Sequence, residues 1–533
     1  EGGFTAARLA GQNHDNLSAQ LIMHADQVSQ KGAGKVIVVI DTGVDMTHPA
    51  FAGALSGTPA LDAGKVASLA AQLGAGKTGT YVSEKFPFAY DYADDDADAS
   101  PAGSHGTHVA GIAAGNAGEI MGVAPDAQII VAKVERDSGG IPDSALLSAL
   151  DDMAVLRPDV VNLSLGQTAG MDNAADSVYA GIFETLQEKG VAVDAAAGNE
   201  FSAGYGNNSG KNLAYASDPD SSTLDEPASY APVVAVASLD NVLQANGFKA
   251  AGRDIAYQRA RAENGDKIAD IAELPAGDYE YVDGGIASED DVKALKEKYP
   301  DGLAGKFVLV SRGKLTFDAK VSNLADLKPA GVLVYNNVPG DALMVMSLST
   351  LSVPAGFMSQ ADGQAMLAAA DHHLTLVEGM TITPSAKHSM SGFSSWGVTP
   401  DLRLKPEVTA PGGNIYSSVP DGAYGFMSGT SMATPQIVGV SAVVRERVQN
   451  DPLFASMSDR EKVDVVQNLI MGTAAPVVDP LQDTGAYYSP RKQGSGLVNV
   501  LAATTSSVYP TVKGAPEQSR PKADLGDGTK GWH

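Results

Sequence analysis

The sequence GTSMATP at residues 429–435 is followed by a run of mostly apolar side chains, residues 437–448, of the kind that forms a buried helix. We expect Pro435 in the first turn of that helix, where its missing N–H costs little. The pattern places the Ser431 hydroxyl at a helix N-terminus, beside backbone N–H groups that have no partner within the helix. Those groups and the helix dipole favour negative charge, which the oxyanion of an acyl-transfer reaction carries. A capping serine is the alternative interpretation of Ser431 taken alone.

The composition indicates a globular α/β protein with two or three domains. The chain has 533 residues, of which 44% are hydrophobic, 19% are charged and 58 are glycine. It contains no cysteine, which excludes disulfides, thiolate metal sites and cysteine nucleophiles. A net charge of −26 disfavours nucleic acid and anionic membranes as partners. No apolar run approaches the roughly 20 residues that span a bilayer, so we expect no membrane span in this chain.

Short β-branched runs alternate with helical stretches, which predicts a parallel sheet with helices on both faces. The first strand, Val36 to Ile40, ends in Asp41-Thr42-Gly43, a carboxylate at the edge where open α/β sheets keep their active sites. An Asx turn is the alternative role for Asp41. Further predicted strands are 129–132, 160–164, 191–193 and 233–236, and predicted helices are 17–30, 143–156 and 174–189.

The stretch SHGTHVAG, residues 104–111, opens a helix of very small side chains and places His105 in its first turn. An imidazole at that position can act as a base across the top of the sheet. His105 and His108 also have the i, i+3 spacing of a metal pair, although Gly106-Thr107 stands where zinc peptidases carry glutamate. We therefore favour a base over a metal ligand for His105.

Two other strand ends carry polar or glycine-rich segments. The strand through Asp194 leads to Ala195-Ala196-Ala197-Gly198-Asn199, and Asn199 offers a carboxamide donor for an oxyanion. A loop asparagine is the alternative interpretation. The neighbouring strand ends in Leu163-Ser164-Leu165-Gly166. Asp194, within an apolar run, has no explanation at this level.

These motifs together resemble the subtilisin-like serine proteases, in the family's order of Asp, His and Ser. The similarity covers most of residues 20–241 and 388–505 and implies the roles that follow. Asp41 would orient the imidazole, His105 would be the general base, Ser431 the nucleophile, and Asn199 with the Ser431 N–H would bind the oxyanion. The expected substrate-binding residues are Leu163, Ser164, Leu165, Gly166, Gly139, Gly140, Ala196, Ala197, Gly198 and Thr430.

The similarity breaks between residues 241 and 386, which predicts an inserted domain. Its segment 305–337 resembles the protease-associated domain, with Lys314-Leu315 where many members carry cysteine. A catalytic domain so interrupted is similar to the lactocepin and C5a-peptidase group of Gram-positive cell-envelope proteinases. The predicted organisation is a discontinuous subtilisin-like domain (1–241 and 386–508), an α+β insert (242–385) and a polar tail (509–533).

The resemblance implies an extracellular serine endopeptidase, secreted or attached to the cell envelope of a Gram-positive bacterium. Its partners would be protein and peptide substrates, basic ones in particular because of the acidic charge, and we expect a monomer. The chemistry requires no cofactor, while structural calcium is possible at the carboxylates of residues 91–98. The alternative is a catalytically silent adhesin on the same fold, and a metallohydrolase built on His105 and His108 is a third. The presence of Asp41, His105, Ser431 and Asn199 favours the peptidase.

Overall fold

A computed structural model describes most of the chain. The described residues are 14–74, 79–167, 177–200, 224–241, 245–262, 268–337, 343–350, 352–382, 388–399, 402–480, 484–512 and 522. The first three residues of the predicted helix 174–189, the ends of the predicted insert and most of the predicted tail 509–533 lie outside them.

The described secondary structure comprises short strands and helices in alternation. The helices are α1 (His14–Ile22), α2 (Ala63–Ala70), α3 (His105–Ala114), α4 (Asp143–Leu156), α5 (Ser177–Glu188), α6 (Glu289–Lys298), α7 (Phe317–Ala325), α8 (Gln360–Ala368), α9 (Thr430–Asn450), α10 (Asp459–Gly472), α11 (Pro490–Gln493) and α12 (Val500–Thr505). The strands are β1 (Val36–Asp41), β2 (Phe88–Asp91), β3 (Gln128–Lys133), β4 (Val160–Leu163), β5 (Ala192–Ala196), β6 (Val234–Asp240), β7 (Ala245–Ala250), β8 (Arg253–Arg259), β9 (Arg261–Ala262), β10 (Gly277–Asp283), β11 (Lys306–Ser311), β12 (Gly331–Tyr335), β13 (Ser347–Leu348), β14 (Ala355–Met358), β15 (His373–Ile382), β16 (Val408–Gly413), β17 (Ile415–Val419) and β18 (Ala423–Met427).

A seven-stranded sheet forms the centre of the molecule, with strand order β16-β6-β5-β4-β1-β3-β2. Every neighbouring pair in it is parallel, so all seven carboxyl ends lie at one edge. The predicted α/β fold with a parallel sheet is thereby confirmed.

Strand β1 shows why the sheet needs helices on both faces. All six of its residues are buried. Val36, Val38 and Ile40 belong to one apolar core, which also contains buried side chains of α4 and α5. Ile37 and Val39 face the other core, which contains α3, α9 and α10. Because successive side chains of a strand point to opposite faces, a continuous apolar run is stable only between two helical layers.

Helix α9 is a deeply buried helix of the second core. It packs against β16, β6, β5 and α3, and its residues from Met432 to Arg445 are all buried. It begins at Thr430, so Pro435 lies in the second turn, and the prediction that it occupies the first turn is wrong. Among the described residues, no helix is both long enough and apolar enough to cross a membrane.

The buried Asp194, which the sequence left unexplained, connects the sheet to α9. It lies within β5 and is 1% exposed. Its Oδ2 accepts a hydrogen bond of 2.9 Å from the Ser441 hydroxyl in the middle of α9. A buried acceptor needs such a partner, and this one fixes α9 relative to the strand.

The N-terminal helix differs from its prediction, since α1 ends at Ile22 rather than near residue 30. His24 has a left-handed backbone with φ of 57°, and a single 3₁₀ turn, Ala25–Gln27, follows it. The apolar spacing of this segment continues past the point at which the backbone leaves the helix, so periodicity alone overestimated its length.

The polypeptide leaves the sheet after β6 and returns to it at β16. Between them, seven strands form a closed barrel in the order β10-β11-β12-β14-β8-β7-β15. The barrel strands that come first and last in the chain, β7 and β15, are antiparallel neighbours, and Ala245 pairs with Ile382. A separate hairpin, β17–β18, follows β16 and leads directly into α9.

We predict that Gly439→Ala destabilises the protein by about 1–3 kcal/mol. A Cβ at Gly439 of α9 would lie 2.6 Å from Val123 Cβ and 3.0 Å from the Ala113 carbonyl oxygen of α3. Thermal unfolding and the urea midpoint measure the loss. The matched control is Gly181→Ala, since Gly181 is exposed in α5 and nothing lies within 4 Å of its missing Cβ. That variant should be as stable as the parent or gain up to about 1 kcal/mol of helix propensity. Equal stability of the two variants would contradict the tight contact between α9 and α3.

Candidate active site

Asp41 and His105 are joined across the carboxyl edge of the sheet. Asp41 ends β1, and His105 is the first residue of α3. The Nδ1 of His105 lies 2.8 Å from Oδ1 of Asp41. A carboxylate only accepts hydrogen bonds, so Nδ1 carries the proton and Nε2 keeps its lone pair. Asp41 is 2% exposed, whereas the His105 side chain is 34% exposed. The carboxylate is therefore buried, but the imidazole remains accessible to a reaction partner.

The surroundings of His105 make its imidazole more basic. Burial lowers the pKa of His105, but the charge of Asp41 and its hydrogen bond more than offset that effect, and the pKa lies above its usual 6.5. Gly106 allows this close approach, because a Cβ there would lie 2.2 Å from the Gly43 carbonyl oxygen. The helix start is also held by a hydrogen bond of 3.0 Å from the Gly106 N–H to the Thr42 hydroxyl.

Ser431 is the second residue of α9, and its position is held through its own carbonyl group. Pro435 has no N–H with which to bond the Ser431 carbonyl, four residues earlier in the helix. That carbonyl accepts a hydrogen bond of 2.7 Å from the Ser164 hydroxyl, which in turn accepts one of 3.0 Å from Asn162. The Ser431 hydroxyl donates to the Ser164 carbonyl oxygen at 3.1 Å. A short turn at the end of β4 thus fixes both the backbone and the hydroxyl of Ser431.

The amide group of Asn199 is oriented by Thr430. Its Oδ1 accepts hydrogen bonds from the Thr430 N–H at 2.9 Å and from the Thr430 hydroxyl at 3.1 Å. The same hydroxyl accepts from the Gly198 N–H at 3.1 Å. Because Oδ1 is committed to Thr430, the NH₂ side of the amide is left to donate elsewhere. Thr430 therefore acts on Asn199, a role that the sequence did not suggest.

The two segments predicted to line a binding pocket continue directly from neighbouring strands, β4 and β5. Leu163 pairs with Ala195 at the ends of β4 and β5, so Ser164–Gly166 and Ala196–Gly198 emerge side by side. The turn with Gly139 and Gly140 follows β3 in the chain. It is exposed, its two glycines have φ near +90°, and its internal hydrogen bonds run to Arg136. Within the described chain, no hydrogen bond connects that turn to Ser431 or Asn199.

His108 is not placed to bind an ion together with His105. Its Nε2 lies 3.1 Å and 3.2 Å from the carbonyl oxygens of Ile415 and Gly425 on the β17–β18 hairpin. Burial lowers the pKa of His108 to about 3, so its imidazole is neutral and donates to the hairpin. The two histidines have different partners, and this geometry favours a base at His105.

The acidic loop does not fit a calcium ion in its described part. Asp91, Asp94 and Asp137 are the only described group of carboxylates and imidazoles close enough to share a metal. The Lys133 ammonium already lies 2.9 Å from Asp91 Oδ2, with both side chains 2% exposed, and it also pairs with Asp137. The other oxygen of Asp91 accepts from two backbone N–H groups. A fixed positive charge in the cluster opposes a divalent cation.

Two acidic residues near this site were missed by the sequence analysis. Asp225 lies against Gly166 and Gly198, and Glu200 follows Asn199 directly. The only sequence signal for Asp225 is its place in Asp225-Glu226-Pro227, which resembles an ordinary turn. The two residues are 25 positions apart in the chain (225−200), so the sequence gives no sign that they lie close together.

The sequence profile of the subtilase family matches residues 32–496. The chain is 32% identical over 500 residues to a C5a peptidase of Streptococcus pyogenes serotype M6, an alignment that covers 91% of this chain and 40% of the peptidase. It is 30% identical over 534 residues to the PI-type proteinase of Lactococcus lactis subsp. cremoris, covering 94% of this chain and 27% of the proteinase. The chain thus spans less than half the length of these relatives.

We predict that Asp41→Asn lowers the pKa of His105, since the substitution removes the charge that raises it. A raised pKa in the folded state means that the protonated imidazole stabilises the fold below pH 6.5, and that this contribution is lost as pH rises through the folded-state pKa. NMR titration of the imidazole nitrogens, assigned with a His105→Gln variant, measures both values. His108, whose pKa is about 3, should show no titration between pH 5 and 9 and serves as the internal control. An unchanged His105 pKa in Asp41→Asn would disprove the coupling.

Proposed function

The chain belongs to the subtilase family of serine-type peptidases, and we propose that it is an endopeptidase in which Asp41, His105 and Ser431 form the catalytic triad. The observation that supports this proposal is the 2.8 Å contact between His105 Nδ1 and Asp41 Oδ1, which leaves the lone pair of Nε2 free to accept a proton. A serine hydroxyl becomes nucleophilic when such a base takes its proton. The catalytically silent alternative requires no such arrangement.

In the acylation step, the Ser431 hydroxyl turns from the Ser164 carbonyl oxygen towards Nε2 of His105, which takes its proton. Oγ attacks the carbonyl carbon of the scissile bond, and the imidazolium is stabilised by Asp41. His105 then donates the proton to the leaving amine, and an acyl-enzyme remains on Ser431. Water, activated by His105 in the same way, releases the acyl group.

The oxyanion of each tetrahedral intermediate would accept hydrogen bonds from Asn199 Nδ2 and the Ser431 N–H. The amide is fixed for this purpose, because its Oδ1 is bonded twice to Thr430. The Ser431 N–H belongs to the first turn of α9, whose N–H groups lack intrahelical acceptors. The positive end of the helix dipole also favours the developing negative charge. We propose that this chemistry needs no metal ion or cofactor.

We further propose that an extended substrate binds between the turn at Gly139-Gly140 and the segment Ser164–Gly166. Main-chain hydrogen bonds to these two edges would supply most of the affinity. Leu163–Gly166 and Ala196–Gly198 would line the pocket for the side chain that precedes the scissile bond. The substrates would be proteins and peptides, and the chain would act as a monomer, secreted from or attached to a Gram-positive cell.

The barrel inserted between β6 and β16 is proposed to be a separate domain, residues 242–385, that borders the cleft and selects large substrates. It contacts the hairpin that leads into α9: the Asn414 side chain donates to the Leu343 carbonyl oxygen at 2.9 Å and accepts from the Val345 N–H at 3.2 Å. The Arg261 guanidinium lies 5.4 Å from the centre of the Phe426 ring on the same hairpin. These contacts with the chain that precedes α9 support the proposal that the insert borders the cleft.

We predict that Ser431→Ala lowers kcat by about 10⁶-fold, the magnitude found for the nucleophile of a related enzyme with this triad, while the thermal unfolding temperature stays within a few degrees of the parent. Asn199→Ala should lower kcat by about 10²–10³-fold, again by analogy with a family member. Casein hydrolysis and labelling by a fluorophosphonate measure the two losses. Substantial casein hydrolysis by Ser431→Ala would overturn the proposed mechanism.

We predict that replacing residues 245–382 with a short Gly/Ser linker preserves hydrolysis of a small peptide within several-fold. Ala245 begins the barrel and Ile382 ends it, and the two residues are paired neighbours. A linker of a few residues can therefore join the two chain ends that the deletion leaves. Cleavage of a basic folded protein should slow much more. Salt should also slow it in the intact enzyme, because a charge of −26 steers basic substrates only over a Debye length of ~8 Å at physiological salt. Equal losses on both substrates, or no effect of salt, would contradict the selecting role.

A further inference from the structure

A third segment joins the two segments that line the proposed pocket. The Asp225 N–H donates to the Ala197 carbonyl oxygen at 2.9 Å. The next residue, Glu226, exchanges two backbone hydrogen bonds with Gln167, each of 2.9 Å. Residues 225–226 therefore bridge the lining segments and hold the Asp225 side chain at a fixed position between them.

The Asp225 carboxyl occupies space that two glycines leave open. A Cβ on Gly166 would lie 2.9 Å from Asp225 Cβ and 3.0 Å from its Oδ2. A Cβ on Gly198, whose φ of +108° also favours glycine, would lie 2.5 Å from Oδ1. Each lining segment thus places a glycine, which has no side chain, next to the carboxyl. Asp225 is the acidic group at the base of the space between them.

One oxygen of this carboxyl has no partner. Asp225 is 8% exposed, and among the described residues no group forms a hydrogen bond with its Oδ1. A buried carboxyl oxygen without a donor is unfavourable, since it has lost its hydrogen bonds to water and gained none within the protein. A donor that enters with the substrate would remove that cost, so the orphaned oxygen indicates a ligand with N–H groups.

Glu200 gives the second carboxyl of an acidic pair. Its side chain forms a hydrogen bond with Asp225 and accepts others from the Asn199 N–H at 2.7 Å and the Ser395 hydroxyl at 3.1 Å. Burial, with the charge and the hydrogen bond of Glu200, raises the pKa of Asp225 to about 9. At neutral pH the Asp225 carboxyl of the empty site therefore keeps its proton.

We propose that Asp225, supported by Glu200, forms the acidic end of the pocket for the residue before the scissile bond, and that the peptidase prefers arginine or lysine there. This inference rests on the proposed function. A long basic side chain suits the site, because its aliphatic stem can pack along the lining segments while its N–H groups donate to the orphaned oxygen. On entry of the cation the Asp225 carboxyl would release its proton to solvent and form an ion pair with the positive charge.

The test compares peptides that differ only at the residue before the cut: arginine, its neutral isostere citrulline, and leucine. We expect kcat/KM for arginine to exceed that for citrulline by about 10–100-fold, the range of a hydrogen bond to a charged group. Asp225→Asn, which keeps the shape of the side chain, should bring the arginine-to-citrulline ratio to within about threefold of one. Glu200→Gln should lower the ratio less.

Glu226→Gln is the matched control, since it removes one negative charge at the neighbouring position. Its side chain accepts from the Tyr230 hydroxyl at 3.0 Å rather than contacting the glycines. This variant should keep the ratio of the parent, which separates a local contact from the overall charge. If both variants changed the ratio alike, long-range charge would explain the preference and the assignment to Asp225 would be wrong.

Fluorophosphonate labelling of Ser431 separates failure of this inference from failure of the proposed function. Asp225→Asn should still be labelled, because the substitution leaves the triad intact. If the enzyme is labelled at Ser431 but cleaves citrulline or leucine peptides as fast as arginine peptides, or if Asp225→Asn keeps the parent's ratio, the basic pocket is disproved and the peptidase stands. If peptide cleavage persists in Ser431→Ala, the proposed function fails first.

Discussion

The burial of α9 is the constraint on which the rest of the structure depends. This helix packs against both the sheet and α3, and Gly439 permits its close approach to α3. Its N-terminus therefore has only one place to lie, the carboxyl edge of the parallel sheet, where β1, β4 and β5 also end. Asp41 contacts His105, and Asn199 contacts Thr430, because the elements that carry these residues begin or end at this edge. An apolar core thus determines the position of polar chemistry at its rim.

Buried polar contacts supply the accuracy that apolar packing cannot. Hydrophobic burial has no direction, so it tolerates small shifts of a helix along a sheet. Hydrogen bonds are directional. The one from the Ser441 hydroxyl to Asp194 fixes α9 at its middle, and the one from the Ser164 hydroxyl to the Ser431 carbonyl fixes it at its start. The second is available because Pro435 leaves that carbonyl without a helical donor. A residue that weakens the helix in one place thereby fixes the geometry of the proposed nucleophile.

Acidic groups have two different environments in this molecule. Asp91 is compensated by the buried Lys133 ammonium, which gives the acidic loop a structural role. Asp225 lies beside a second carboxyl instead, and one of its oxygens has no donor in the described chain. Charge compensation within the protein indicates structure, whereas a buried acid left without a donor next to a cleft indicates binding. The difference between the two is invisible in composition, since both contribute equally to the net charge of −26.

The sequence by itself determined the parallel α/β sheet and the residues that could perform the chemistry. The apolar run of β1 is compatible only with burial on both faces. The motifs GTSMATP, HGTHVAG and DTG are local patterns that can be recognised without knowledge of the rest of the fold. Only the tertiary structure decided the end of α1, the position of Pro435 in its helix, the partner of Asp194 and the closed barrel of the insert. It alone also placed Asp225 between Gly166 and Gly198, residues 59 and 27 positions away in the chain (225−166 and 225−198). Local patterns report on hydrogen bonds and burial within a segment, whereas contacts between distant segments depend on how the layers pack, which no single segment encodes.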